Sequence, residues 1–474
     1  MRKTLEVFCL LLVDLSAFYL SLLIAWVFRA EVLPLIMPGL PPFIFSYAHF
    51  AAMWWIPAIF LLFLFLEGLY DNNLPFWDET RILLKSLSLS SVTLLAIVTL
   101  GQMGDIVSRI VLIALWCTAA CIFPIFRLWG KKYLHTAGIR REKVLIIGAG
   151  NAGRLVLEGL QREKHMGYEV VGLLDDDSRK LGTTIQGTTV LGHVSEYPAF
   201  IKDLGVETVI IAIPSLPPDS LSALTAGVQN HAVNTMIIPD LRGIALVNTE
   251  LAHLFVEEIF LINIRNNLKS FTNKLVKRLF DITLSIIALP VILPVIGVIG
   301  IMIRIESQGA AIYAHERIGR KGRPFKCYKF RTMQRDAEEK LKEMLEGNEL
   351  LRTEWESSWK LRDDPRVTKT GRFLRRSSLD ELPQIFNVLK GEMSLVGPRP
   401  YLPRELAQIG ERIKVIGSAK PGITGLWQVS GRSDTGYRYR VKLDLWYVMN
   451  WSLWLDIVIL LKTVRVVLKA EGAY

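Results

Sequence analysis

Apolar residues gather into long blocks at the start of the chain, give way to short alternating runs in the middle, and return as one more block near residue 290. The four opening blocks, residues 5–28, 47–66, 82–100 and 106–126, each approach the twenty or so residues that a bilayer's hydrocarbon demands. They predict four transmembrane helices. The first is too long for a removable leader, carries Asp14 and lacks a small-residue cleavage site, so it reads as a span. Asp14 itself reads as a buried partner for a neighbouring helix, since these blocks hold no ordered cluster of ionisable residues of the kind a transport path needs. Arg2 and Lys3 precede the first block, and Arg127, Lys131, Lys132, Arg140, Arg141 and Lys143 follow the fourth. Both ends of the bundle are therefore expected on the cytoplasmic side.

Next comes KVLIIGAGNAG, a short apolar strand followed by Gly148, Gly150 and Gly153 in G-x-G-x-x-G spacing, opening a helix that runs to about Lys164. A second strand over 168–174 ends at Asp175, where an acidic ribose ligand would lie, and further strands at 208–213 and 234–238 alternate with helical stretches. This predicts a Rossmann-like α/β domain of about 120 residues. Its glycines would let backbone amides approach a pyrophosphate at a helix N-terminus, or would simply allow tight strand–helix packing. The stretch lacks a Y-x-x-x-K pair for hydride chemistry, so scaffold or regulatory use is favoured, with no nicotinamide or flavin expected. Gly148, Gly150, Gly153 and Asp175 remain candidates for binding a nucleotide.

The last apolar block, KRLFDITLSIIALPVILPVIGVIGIMIR, is long enough to span but carries Pro290 and Pro294 near its middle. Each proline removes a helix hydrogen bond and clashes with the preceding turn. A crossing would send the basic stretch with Arg317, Arg320, Lys321 and Arg323 to the far side, against the positive-inside rule. A re-entrant hairpin over about 274–304 keeps Lys277, Arg278 and Arg304 at one interface, with Asp281 shallow enough to reach headgroups.

Charge sharpens this picture. The chain has 474 residues, 51% of them hydrophobic, and a net charge of +11. Residues 266–474 hold about 36 Lys and Arg against about 22 Asp and Glu, so this third module carries the surplus and suits an anionic partner. An anionic lipid surface and a nucleotide diphosphate fit the context better than nucleic acid. Three of the four cysteines, Cys9, Cys117 and Cys121, lie in apolar segments and Cys327 stands alone, which indicates neither a disulfide framework nor a zinc site.

Within that basic module, SLDELPQIFNVLKGEMSLVGPRP concentrates the chemistry. Ser378 to Glu381 matches a capping box for a helix over 382–389, which would set Asp380 and Glu381 in a first turn. There the helix dipole, with Arg375 and Arg376 nearby, would keep both ionised, as a nucleophile or Mg²⁺ ligand requires. Plain helix capping explains the same spacing. The turn VGPRP presents Arg399 between two prolines, and Arg suits bidentate phosphate recognition. Upstream, Arg317, Lys329 and Arg331 could also meet phosphate; taken singly, surface or headgroup contacts are the plainer reading. The charged stretch 335–359 reads as a solvated helix. Toward the end, 420–432 is turn-like, with Trp427 and Arg432 as nucleotide or sugar neighbours, while Trp446, Trp451, Trp454 and the amphipathic 456–469 read either as an interfacial anchor or as core.

KRLFD with the proline-bearing block, YKFRTM, SLDELPQIFNVLKGEMSLVGPRP, PGITGLWQVSGR and LDLWYV together resemble the catalytic domain of the bacterial polyprenyl-phosphate sugar-1-phosphate transferases, the monotopic phosphoglycosyl transferases. Four spans and a Rossmann-like domain ahead of it resemble the large members, closest to the undecaprenyl-phosphate galactose phosphotransferases of O-antigen assembly. The resemblance implies that Asp380 takes sugar-1-phosphate from a UDP-sugar as a covalent intermediate, releasing UMP, and that undecaprenyl phosphate then accepts it. Glu381 would be the partner carboxylate, Mg²⁺ would bridge Asp380 and the diphosphate, and Arg399 would hold nucleotide phosphate. Pro294 aligns with the family's hairpin-breaking proline, and Lys277 and Arg278 with its interfacial pair; Leu293 departs from the usual Ser.

The expectation is a mixed membrane protein with three parts: a four-helix transmembrane bundle over 1–135, a Rossmann-like α/β domain over 140–265, and a C-terminal α/β catalytic domain over 266–474 with the re-entrant hairpin. It would act in the inner membrane with both later domains cytoplasmic, and a homodimer is expected. Arg317, Lys329, Arg331, Arg375, Arg376, Arg399 and Arg432 are its substrate-binding candidates. A non-enzymatic nucleotide-sensing scaffold, a membrane-bound UDP-sugar oxidoreductase, and the same transfer with glucose-1-phosphate are the competing readings.

Overall fold

The protein is described by a computed structural model over residues 2–70, 73–239, 249–254, 259–264, 267–334, 337–347, 349, 352, 364–430 and 436–469. It divides into two compact units, Met1–Arg242 and Gly243–Tyr474. The bundle and the α/β sheet thus share one unit.

In the first unit, α1 (Arg2–Val27), α2 (Trp55–Leu66), α3 (Phe76–Leu100) and α4 (Arg109–Thr136) carry the opening apolar blocks. Among the described residues of this unit, three helical runs are long and apolar enough to cross a bilayer: Thr4–Ile36, Phe76–Leu100 and Arg109–Thr136. The expected second span is instead two pieces, Tyr47–Ala51 and α2, which has only 12 residues. Pro57 accounts for the break, because its ring would collide with the carbonyl four residues back if the helix ran through Met53. Side chains such as Phe8, Leu62, Phe65, Val92 and Ile113 face outward, and Ser16 and Ser21 turn back onto the carbonyls of Leu12 and Ala17, both at 2.7 Å. Outward apolar groups and internally satisfied hydroxyls are what lipid selects.

Asp14 is buried as expected, and α4 supplies its partner. Arg127 donates to Asp14 through Nε at 2.8 Å and Nη2 at 2.7 Å, and Tyr70 donates to the same carboxylate at 2.7 Å. Arg127 also reaches Glu79 at 3.0 Å, and Lys131 meets Glu79 at 2.5 Å. Within this group two cations therefore balance two acids. Arg127 and Lys131, counted in the sequence as flanking charge, are internal.

The α/β sheet comprises β1 (Glu142–Ile147), β2 (Tyr168–Leu174), β3 (Thr184–Ile185), β4 (Thr188–Gly192), β5 (Thr208–Ile211) and β6 (Asn234–Ile237), in the order β3-β4-β2-β1-β5-β6. All neighbours are parallel except the β3–β4 hairpin. Val144 and Ile146 pack on one face, and Leu145 and Ile147 on the other. Burial on both faces is why β1 reads as an unbroken apolar run. The order reverses at β1, the place where such sheets bind ligands, and α5 (Asn151–Arg162) starts there after the glycine loop, with α6 (Tyr197–Leu204) and α7 (Pro218–Gln229) following later in the domain. Gly148 has φ +108°, and a Cβ on Gly153 would lie 1.9 Å from the Gly148 carbonyl oxygen, so these two glycines are required by packing. Asp175 does not stand open for a ribose. Its carboxylate accepts from Ala149 N at 2.8 Å, Asp177 N at 2.9 Å and Lys180 Nζ at 2.9 Å, and these donors outweigh its burial and hold it below the usual carboxylate range.

The second unit begins with the antiparallel pair β7 (Thr249–Leu254) and β8 (Ile259–Ile264), followed by α8 (Phe271–Glu306). Helical backbone continues through Pro290 and Pro294, so the expected hairpin shows no gap in helix. The prolines still leave the carbonyls of Ile286 and Pro290 without their usual donors. Only 11% of the most apolar window of α8 is buried, while its two ends are fastened to the rest of the unit. Toward its start, Lys277 Nζ donates to Asp456 at 2.6 Å and to Val396 O at 3.0 Å, and Arg278 donates to the carbonyls of Val388 and Leu389 at 2.5 and 2.8 Å. Asp281 accepts from Ser394 Oγ and Leu395 N at 3.0 and 3.1 Å; it is 2% exposed and serves the domain, not the headgroups. At the other end, Glu306 accepts from Lys369 N and Thr370 N at 2.7 and 3.0 Å.

Candidate active site

Two strands make the floor. β9 (Ile312–Ile318) and β10 (Pro324–Phe330) pair antiparallel, setting Tyr313 opposite Lys329, His315 opposite Cys327 and Arg317 opposite Phe325. Strand alternation sends those side chains to one face. Against β10 lies the segment after α9 (Lys369–Ser377): a 3₁₀ turn, Leu379–Gln384, and then α10 (Ile385–Lys390). Asn387 ties α10 to the strand, donating to Lys326 O at 2.7 Å and accepting from Tyr328 N at 3.0 Å.

The expected capping box does not form. Ser378 is left-handed, with φ +57°, closes α9, and makes no side-chain cap. Pro383 is the physical reason: an α-helix starting at Leu379 would drive its ring into the Leu379 carbonyl, so the chain tightens to 3₁₀ and resumes α geometry at Ile385. The result is a short turn that offers Asp380 and Glu381 to β10. Lys329 Nζ donates to Glu381 Oε1 at 2.5 Å and stands 3.7 Å from Asp380 Oδ2. Arg375 reaches the Thr332 hydroxyl at 2.9 Å, and its charge acts on Asp380.

The acid is not held ionised by a helix dipole. Burial, with a smaller push from Glu381, raises the Asp380 pKa against the pull of Lys329 and Arg375. For Lys329, burial alone would depress the pKa, but Glu381 and Asp380 prevail and raise it. Cys327, on the same face, is pushed up to about 11 by burial and stays a thiol.

A second cluster surrounds Arg399. Its turn follows β11 (Ser394–Val396), which pairs in parallel with β12 (Gly422–Thr424). The motifs VGPRP and PGITG meet backbone to backbone: Gly397 N donates to Thr424 O, and Gly422 N to Pro398 O, both at 2.9 Å. β9 braces the turn from one side through Ile318 N to Tyr401 O at 2.8 Å and Arg317 Nη1 to Pro400 O at 3.2 Å. α11 (Tyr437–Met449) meets it through Asp444, which accepts from Arg399 N at 3.1 Å and from the Tyr401 hydroxyl at 2.5 Å. The Arg399 guanidinium lies 5.7 Å from the centre of the Trp427 ring and 3.8 Å from Glu405, and Arg440 lies 5.3 Å from the same ring. Burial, then Arg399, lowers the Arg317 pKa, so these two cations feel each other.

Of the sequence candidates, Asp380, Glu381, Lys329 and Arg375 come together, and Arg317 joins Arg399. Arg331 goes elsewhere: it caps the end of α8, donating to Ser307 O at 2.7 Å and Gln308 O at 2.9 Å. Arg376 is exposed, and Arg432 lies outside the described residues. Trp451 is buried and donates to Asp456 at 3.0 Å, so it belongs to the core. Asp444, Tyr401, Glu405 and Arg440 were not foreseen. LDLWYV contained Asp444, but an acid among helical aromatics carries no local sign of its partner. Among the described residues no group of three or more acids, His or Cys could hold a metal ion by itself. The pair Asp380 and Glu381 is nevertheless compatible with Mg²⁺, which commonly takes one or two carboxylates and completes its shell with water and substrate phosphate.

A family described as bacterial sugar transferase matches residues 272–470, and one described as a CoA-binding domain matches residues 68–239. The chain is 38% identical to the undecaprenyl-phosphate galactose phosphotransferase of Salmonella typhimurium, across 85% of this chain and 84% of that protein. It is 37% identical to the UDP-galactose-lipid carrier transferase of Erwinia amylovora over the same shares. The UDP-glucose:undecaprenyl-phosphate glucose-1-phosphate transferase of Escherichia coli is 31% identical, across 71% of this chain and 69% of that one. Similarity of this extent, running through the catalytic unit and well into the helices and sheet ahead of it, makes the chain a member of the bacterial polyprenyl-phosphate sugar-1-phosphate transferases.

Proposed function

We propose that this chain moves sugar-1-phosphate, galactose-1-phosphate first among the candidates, from a UDP-sugar to undecaprenyl phosphate, as the first membrane step of a surface polysaccharide such as O-antigen. The carrying observation is the shared ammonium of Lys329 beside Asp380 and Glu381, at the foot of a basic row that continues through Arg317 to Arg399. A carboxylate oxygen of Asp380 attacks the sugar-side phosphorus, and the bond to the bridging oxygen breaks, so that UMP leaves with that electron pair. The acyl phosphate then yields to an oxygen of undecaprenyl phosphate, which restores the carboxylate. Two displacements replace one difficult exchange, and the cations neutralise charge where it develops. Mg²⁺, held by Asp380 with Glu381 and the diphosphate, would supply further charge neutralisation when bound. Galactose is favoured because the two relatives named for it are more similar, over more of the chain, than the one named for glucose.

We further infer that α8 is re-entrant and that the α/β sheet domain and the catalytic domain lie on the cytoplasmic side of the inner membrane. Support comes from the fastening of both ends of α8 to one folded body, and from the basic flank that follows it. Purified protein with UDP-galactose, undecaprenyl phosphate and Mg²⁺ should release UMP, and Asp380→Asn should not. Absence of UMP with any UDP-hexose would sink the transferase reading, turnover retained in Asp380→Asn would remove the nucleophile, and faster turnover of UDP-glucose would replace the sugar.

A further inference from the structure

Helix α11 carries an acid that the proposed reaction does not use. Asp444 is 1% exposed. Its Oδ2 takes both the backbone N of Arg399 and the hydroxyl of Tyr401, at 3.1 and 2.5 Å, so one oxygen grips both ends of a three-residue turn. Its Oδ1 is buried and has no hydrogen-bond partner among the described residues. The prolines on either side fix local φ angles, and β9 holds the carbonyls of Pro400 and Tyr401, which leaves the backbone N of Arg399 itself to be seated. Asp444 does that from α11, as a second anchor on the turn besides β9.

We propose that Asp444 is a positioning residue for the donor's diphosphate: it seats the Arg399 turn, and its charge sets how strongly Arg399 receives a phosphate. This rests on the reading of Arg399 as a diphosphate ligand. The groups facing Asp444 are Arg399 and Tyr401 across the interface, with Tyr437 and Tyr447 on its own helix. Burial pushes the Asp444 carboxyl up to about 7, against the opposing pull of the Tyr401 hydroxyl, the Arg399 backbone N–H and the Arg399 charge. A diphosphate arriving at Arg399 adds negative charge nearby and pushes the same way. Binding then takes up a proton, and Oδ1 is the atom with room for it, because Oδ2 already accepts twice. Above pH 7 the carboxylate must be neutralised or tolerated when the donor binds, so donor affinity falls as pH rises through this range.

The probe is UDP-galactose, whose diphosphate diester keeps constant charge between pH 6 and 8, bound to full-length protein in the Asp380→Asn background, where transfer is blocked. Adding Asp444→Ala should weaken binding by about tenfold, the loss expected when two hydrogen bonds to the turn disappear. Adding Asp444→Asn keeps an acceptor oxygen and should restore affinity to within about threefold, while abolishing the rise of Kd between pH 6 and 8. Unchanged Kd in a folded alanine variant overturns the proposal, as does a pH dependence that survives in the asparagine variant. Should the alanine variant fail to fold, Tyr401→Phe removes a donor that holds the Asp444 pKa down and should move the rise of Kd to higher pH; a profile identical to the parent overturns the proposal equally. Failure of the transferase reading is separable: it appears as no UMP release by the wild-type chain, whatever these Kd values do.

Discussion

Lys329 shares one ammonium between Glu381, at 2.5 Å, and Asp380, at 3.7 Å. A nucleophilic carboxylate must be ionised. Burial first and Glu381 after it raise the Asp380 pKa, while Lys329 and Arg375 lower it. The acid limb of the pH profile for UMP release should therefore lie above the ordinary carboxylate value of about 3.9, with activity lost as pH falls through it. Lys329→Met removes the larger lowering influence and should move that limb to higher pH, besides slowing the reaction. A limb that stays in place in the methionine variant would separate Lys329 from the ionisation of Asp380.

Gly397 and Gly422 form the tightest support beneath Arg399. A Cβ on Gly422 would lie 2.0 Å from Gly397 N, and one on Gly397 would lie 2.4 Å from Lys420 O. Both obstacles are backbone, so no side chain can swing away. Gly422→Ala should displace the Arg399 turn by a fraction of an ångström or more, and a misplacement near 1 Å costs on the order of 100-fold in rate. Initial rates of UMP release measure this, alongside Gly436→Ala, where a Cβ meets nothing within 4 Å. Equal rates in the two variants would show that the turn does not need its glycines.

Much of this layout was legible because its signals are local. Apolar blocks long enough for lipid, the VLII strand before a glycine loop, and two carboxylates next to a proline can each be read within a dozen residues. Errors arose where geometry or a distant partner decided. Pro57 divides the second block, and Pro383 converts a capping box into a 3₁₀ turn. Arg331, a substrate-binding candidate in the sequence, meets two carbonyls at the end of α8. Lys277 and Asp281 resembled interface residues, but their partners lie more than 100 positions away, at Asp456 and Ser394. Asp444 was invisible for the same reason.

The buried group Asp14, Arg127, Glu79 and Lys131 makes a stability prediction. Its charges balance, so truncating one member leaves another buried without a counter-ion, which typically costs about 3–5 kcal/mol. Asp14→Ala should lower the melting temperature of the detergent-solubilised chain well below that of an outward-facing control such as Leu12→Ala, since Leu12 is 48% exposed. Melting temperatures that match would mean the group is dispensable.

Topology gives the last prediction. A helix of 36 residues is about 54 Å long if straight, enough to cross a hydrocarbon layer of about 30 Å and leave its ends on opposite sides. Yet Lys277 and Glu306, near those ends, are bonded to the same folded unit, which cannot occupy both sides at once. The carbonyls of Ile286 and Pro290, lacking donors because of the two prolines, give the exposed middle of α8 a place to bend within the membrane. Gln308 follows the helix and is exposed. With Cys9, Cys117 and Cys121 replaced by alanine, Gln308→Cys should react with an impermeant maleimide in inverted vesicles and not in intact spheroplasts. Adding Pro290→Leu and Pro294→Leu removes the bend, so the helix must either cross, exposing Gln308→Cys to the outside, or pull away from the domain with loss of UMP release. Labelling of the proline-containing chain from the outside would show that α8 spans the membrane.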